Sequence, residues 1–219
     1  MFFPRTEALP APQRKLWTEL NAIPPWFVLY GGTALALRLG HRASEDFDLF
    51  SNRAFQPDDL ERQVSFLQGA QRLQSSPNTL VSLVQREGAV KVSFFGGLSL
   101  RRVADPELAE GPGLLVASLL DLAATKVKVV QDRAEAKDYL DIAALLKEGI
   151  ELAQALSAAV AVYGDAFNPL LSLKALSYFA DGDLPSLSEN VRVRLTDAVS
   201  KIDSGHLPVL LARAGGIVP

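Results

Sequence analysis

The chain has 219 residues, 48% hydrophobic and 21% charged, with 22 basic against 25 acidic side chains and a formal net charge of -3. This composition supports a real core and excludes a uniformly basic surface, so any contact with nucleic acid must come from a local patch. With no cysteine there is neither a disulfide framework nor a thiolate metal centre. The start MFFPRTEALPAPQRK lacks the uninterrupted apolar run of a signal peptide, and no later stretch approaches the ~20 apolar residues of a membrane span, which predicts a soluble, cytoplasmic protein with no membrane partner.

After the Pro-rich start, residues 14–21 are expected to form a short helix, and PPWFVLYGG reads as a buried strand stopped by glycine. The next segment is GGTALALRLGHRASEDFDLF, residues 31–50. Thr33 can cap a stretch whose Leu35, Leu37 and Leu39 fit either a helix or a strand; the Ala and Leu content after Gly-Gly-Thr favours a helix of about three turns at most. DFDLF alternates acid and apolar side chains, so as a strand it presents Asp46 and Asp48 on one face and Phe47 and Leu49 on the other.

PDDLERQVSFLQGAQRL carries the pattern of one capped amphipathic helix, after which NTLVSLVQREG and AVKVSFFGG read as strands, with LSLRRVAD a further candidate. DPELAEGPG reads as a connector, and the remainder is rich in Ala and Leu at helical spacing, broken near Gly149, Gly164, Asn168-Pro169 and Asp181-Gly182. The expected fold class is therefore mixed α/β (α+β): an α/β domain over residues 1–105 and a helical domain over residues 106–219, with no internal repeat. The final LPVLLARAGGIVP is expected either to pack back or to be loose.

Two carboxylates on one strand face suit one or two Mg²⁺ ions, hard cations that take oxygen ligands and share them with substrate phosphates. Bound there, such ions would polarise a phosphoryl group, leaving the protein to supply position and charge. Gly31 and Gly32 at the end of the preceding strand let backbone N–H groups and a helix N-terminus approach a triphosphate without obstruction by a Cβ. Each part alone has a bland counterpart, a tight turn or a solvated strand edge. Their order along the chain favours a nucleotide site.

Other chemistries find little support. There are 2 histidines and no Gly-x-Ser-x-Gly elbow for a hydrolase triad, no His-x-x-x-His or cysteine set for zinc, and no Walker-type glycine loop.

GGTALALRLGHRASEDFDLF, together with ATKVKVVQDRAEAKDYLDIAALL further on, resembles the polymerase-β-like nucleotidyltransferases and, within them, the AbiEii/AbiGii toxin group. The likeness spans most of residues 26–147. It implies a polymerase-β-like domain with a mixed sheet followed by a helical domain, with the nucleotide in the cleft between them. It further implies that Gly31, Gly32 and Thr33 cradle the triphosphate of an NTP and that Asp46 and Asp48 are the catalytic metal ligands. Members transfer a nucleotide to an acceptor, in some cases tRNA, and several are toxins neutralised by a cognate antitoxin; the resemblance thus implies Mg²⁺, an NTP, an RNA acceptor and an antitoxin as partners.

The sequence departs from that group in one place. Most active members carry a third acid on a later strand, and the corresponding strand here, AVKVSFF, turns Lys91, Ser93 and Phe95 outward. Glu87 and Asp105 are near in sequence, with nothing to place either in the site. Either the site runs with fewer protein ligands, or the chain binds nucleotide, RNA or a partner protein without turnover.

On a continuous helix Lys126, Arg133 and Lys137 fall within one narrow stripe, with Asp141 next on the same side. The stripe could neutralise a triphosphate or the acceptor's phosphates, or it could be a solvated face with Lys137 and Asp141 as an i, i+4 pair. Asp138 points elsewhere, either to a neighbouring helix or back to orient Lys126 or Arg133. Asp138, Asp141 and Ser93 are thus candidates for supporting contacts behind the ligands. In the loop before the acids Arg42 is the better phosphate candidate, and His41 is either a ligand contact or a helix-cap partner. Trp17, Trp26, Tyr139 and Tyr178 sit among apolar neighbours and are expected in the core.

Overall fold

The computed structural model describes residues 1–218. The chain divides into two units, one formed by Met1–Leu100, Asp105–Ser118 and the last residues from Ala214, the other by Arg101–Ala104 and Leu119–Arg213.

The first unit is built on a seven-stranded mixed sheet. Its strands are β1 (Val28–Tyr30), β2 (Asp46–Phe50), β3 (Gln71–Ser76), β4 (Thr79–Gln85), β5 (Ala89–Phe95), β6 (Glu107–Leu108) and β7 (Leu115–Val116), in the spatial order β3-β4-β5-β2-β1-β7-β6. β2 pairs antiparallel with β1 and parallel with β5, so the acid-bearing strand is central and paired on both sides. The alternation expected of DFDLF is realised: Phe47 and Leu49 are fully buried, while Asp46 and Asp48 are half-buried on the opposite face. Phe47 stacks on Trp17 of helix α1 (Ala11–Trp17), and Phe94 meets Phe27 edge-on at 5.1 Å, within a core where each large apolar side chain contributes about 1.5–3 kcal/mol. On the acid-bearing face Phe50 stacks on Tyr30 and meets Phe95 edge-on, which closes the C-terminal end of β2.

Helix α2 (Gly31–Leu39) starts directly at the glycine pair and ends at Gly40, which takes the left-handed conformation of a C-terminal cap. Its Ala34, Leu35, Ala36 and Leu37 are all buried, and the stretch is the short helix that its Ala and Leu content favours. Thr33 lies inside the helix rather than capping it; its hydroxyl donates to the Asp46 carbonyl and lies 3.0 Å from the Ser44 hydroxyl.

Four elements differ from expectation. The helix expected over residues 14–21 is α1 at Ala11–Trp17, followed by a 3₁₀ turn at Leu20–Ala22. The helix expected over PDDLERQVSFLQGAQRL stops as α3 (Pro57–Gln63), passes through a 3₁₀ turn at Ser65–Leu67, and gives way to β3, whose six residues are all exposed. Exposure on both faces removes the apolar alternation by which a strand is read. The expected connector contains β6, and β7 follows it, each only two residues long. LSLRRVAD forms no named strand; Arg102 bridges Arg213 in isolation.

The second unit holds α4 (Leu119–Val129), α5 (Ala136–Lys147), α6 (Leu152–Tyr163), α7 (Pro169–Ala175) and α8 (Glu189–Ser200). Its breaks fall where Gly149, Gly164, Asn168-Pro169 and Gly182 were expected to place them. The Asp121 carboxylate accepts the backbone N–H groups of Val103 and Ala104 and so ties the 101–104 segment to α4. The tail packs back: Ile217 is buried and its N–H donates to Asn52, whose side-chain amide donates to the carbonyls of Leu98 and Leu100.

Candidate active site

Asp48 lies across from Tyr30 in β1, and α2 begins one residue later, so the register brings the first turn of the helix beside the Asp48 carboxylate. Gly31 has φ +75°, and a Cβ built on it would stand 2.7 Å from Asp48 Oδ2. A Cβ on Gly32 would stand 2.6 Å from the Arg42 guanidinium and 2.9 Å from the Ser44 hydroxyl. Gly31 is required by its positive φ, a Cβ on Gly32 would have to push Arg42 and Ser44 aside, and the pair brings backbone N–H groups, a carboxylate and a guanidinium to one helix N-terminus.

On the other side of β2 the parallel pairing with β5 sets Asp46 across from Lys91 and Asp48 across from Ser93. The outward positions of β5 are those read from AVKVSFF. Lys91 Nζ lies 2.6 Å from Asp46 Oδ2, with both side chains about 40% exposed. Ser93 is buried. Glu87 sits in the hairpin turn at φ +60° and pairs with Lys15.

As a donor set for a hard divalent cation, Asp46 and Asp48 fit: carboxylate oxygens on adjacent positions of one strand face, partly open to solvent, with the strand held rigid on both edges. Among the described residues no group of three or more His, Cys, Asp and Glu gathers at one point, so phosphate and water oxygens would complete the shell.

The candidates of the second unit do not form one stripe. α4 ends at Val129 and α5 begins at Ala136, with Arg133 in the turn between them. Lys126 is buried, its ammonium 2.7 Å from Asp138 and 2.6 Å from Asp141, both themselves fully buried. The Arg133 guanidinium donates to Asp138 at 2.8 Å and 3.3 Å while remaining 44% exposed. Burial pushes the Asp138 carboxyl up, but the Arg133 hydrogen bond and the Lys126 charge outweigh it and hold it below the ordinary carboxylate range. Lys137 is exposed and pairs with Glu135 at 2.7 Å rather than with Asp141. Arg133 also lines a pocket of about 360 Å³ with Lys174, Tyr139, Tyr178 and Asp181. Tyr178 is exposed there, unlike the buried Tyr139 and Trp17.

Ser44 and Asn52 were not read from the sequence. A serine in a loop and an asparagine after a strand carry no local signal; their roles come from contacts with residues 11 and 165 positions away.

A mixed sheet with two outward acids on its central strand and a glycine-started helix packed against them is the core of a nucleotidyltransferase fold. Solved structures carry the same fold: MenT4, a nucleotidyltransferase toxin of Mycobacterium tuberculosis H37Rv, aligns with a TM-score of 0.61 at 17% identity over 88% of this chain and 83% of its own. A candidate nucleotidyltransferase from H. pylori aligns at 0.56 and 18% identity, over 86% and 90%. The profile described as "Nucleotidyl transferase AbiEii toxin, Type IV TA system" matches residues 19–208, and the chain belongs to that family. An uncharacterized protein of Aquifex aeolicus (strain VF5) is 33% identical over 124 residues, a match that spans 56% of this chain and 58% of that relative's length.

Proposed function

We propose that the protein is a Mg²⁺-dependent nucleotidyltransferase that moves a nucleotide from an NTP to an RNA hydroxyl, with tRNA the first acceptor to test. The observation that carries this is the packing of Gly31 against the Asp48 carboxylate, which sets a helix N-terminus beside Asp48 and Arg42, with Asp46 on the same strand face. Family membership and the shared fold support it.

In this proposal Gly31, Gly32 and Thr33 hold the triphosphate through backbone N–H groups, Arg42 adds a bidentate donor, and Asp46 and Asp48 would hold a divalent ion. When bound, the ion neutralises charge on the phosphates and favours the ionised acceptor hydroxyl. The hydroxyl oxygen bonds to the α-phosphorus, the bond to pyrophosphate breaks, and the proton leaves to water, because Ser93 beside Asp48 is no base at neutral pH. Arg133 and Lys137, the exposed members of the Lys126, Arg133 and Lys137 set, are candidates for an RNA phosphate contact on the second unit itself. Lys126, enclosed by Asp138 and Asp141, orders the α4–α5 connection from within. The family's description as a toxin of a toxin–antitoxin system supports a cognate antitoxin as a partner.

Incubation with each α-labelled NTP, Mg²⁺ and total tRNA tests the proposal; label in the RNA, resistant to protein digestion, is expected. Lys91 and Ser93 on β5 favour one competing reading, a module that binds nucleotide without turnover. Nucleotide binding with no labelled product under any NTP would establish that reading instead.

No helix among the described residues is long and apolar enough to cross a membrane. We place the activity in the cytoplasm, where NTP and tRNA occur together.

A further inference from the structure

Resting on the nucleotidyl-transfer reading, we infer that Lys91 takes the place of a second cation, so that the site holds one divalent ion per bound nucleotide rather than a pair. Lys91 is the β5 residue directly across from Asp46, and its ammonium is 2.6 Å from Asp46 Oδ2. A two-ion site needs carboxylate oxygens that bridge ions about 3.5–4 Å apart. Here one of the two acids already shares an oxygen with an ammonium, and Asp48 faces the uncharged, buried Ser93.

Lys91 sets a positive charge at Asp46, where a second ion would have to share a carboxylate oxygen. Mg²⁺ also demands near-octahedral oxygen ligands, whereas an ammonium on a flexible stem needs only one or two acceptors within reach. Lys91 is thereby a positioning residue: it holds one oxygen of Asp46 on the sheet face and leaves the other, with Asp48 and the nucleotide's phosphates, to hold the one ion. A salt bridge that merely joined two strands would leave the ion count unchanged when removed.

The test counts Mn²⁺ by electron paramagnetic resonance at equimolar protein and α,β-methylene nucleotide, each of the four bases in turn, for the full chain and for Lys91→Glu. The expected result is one bound Mn²⁺ per chain in the wild type, including the ion carried by the nucleotide, and two in Lys91→Glu. Two ions in the wild type would overturn the assignment of Lys91 while leaving nucleotidyl transfer intact. A count of one in both proteins would also overturn it, since Lys91 would then not set the limit. Failure of every nucleotide analogue to bind would instead remove the functional reading and this inference with it.

Discussion

The Asp48 carboxylate rests against Gly31 so closely that a Cβ there would stand 2.7 Å from Oδ2. The same glycine has φ +75°, a conformation that a side chain would strain. Gly31→Ala should therefore displace Asp48, abolish nucleotide binding and cost about 1 kcal/mol or more of stability. Equilibrium binding of a labelled NTP beside a urea melt separates the two effects; unaltered affinity would remove Gly31 from the phosphate site.

Lys126 sits between Asp138 and Asp141 with all three side chains buried. Lys126→Met removes the buried ammonium that Asp138 and Asp141 share, leaving Arg133 on Asp138, which should destabilise the protein by about 3–5 kcal/mol. Adding Asp138→Asn and Asp141→Asn should recover part of that loss. Chemical denaturation of the single and triple variants provides the comparison, and a neutral effect of Lys126→Met would show that the cluster is not held by the lysine.

Acid should weaken this cluster. Because the folded carboxyl of Asp138 titrates below its unfolded value, its stabilisation is present above the unfolded pKa of about 3.9 and disappears as pH falls further, through the folded value. Stability measured from pH 6 to 2 should fall less steeply below about pH 4 in Asp138→Asn than in the wild type, from a lower starting level. Parallel curves would contradict the assignment.

Asn52 joins the end of β2 to the loop at Leu98 and Leu100 and to the tail at Ile217. Asn52→Ala leaves these backbone groups without partners, at about 1–3 kcal/mol. Faster amide exchange at residues 216–218, with the β4 and β5 amides unchanged, is the expected signature.

How much of this was legible in the sequence depended on whether a local signal existed. DFDLF alternates because one face is core, so the orientation of Asp46 and Asp48 and the outward set of β5 could be read directly. β3 could not, because a fully exposed strand has no apolar period, nor could β6 and β7, which are too short to carry one. The basic stripe failed for a related reason: QDRAE contains no glycine or proline to announce the break between α4 and α5, yet the buried pairing of Lys126 with Asp138 and Asp141 needs the chain to turn there. Asp138 as a partner of Lys126 and Arg133 was among the alternatives that the spacing allowed.

The two acids carry the proposed chemistry, and their removal bears on it most directly. Wild type and the Asp46→Asn, Asp48→Asn double variant, both checked for folding, would be incubated with α-labelled NTP, Mg²⁺ and total tRNA. Label transfer by the wild type that falls at least ~100-fold in the variant is expected, since the carboxylates position the ion that neutralises the transferred group. Equal transfer by both proteins would contradict the assignment of the site.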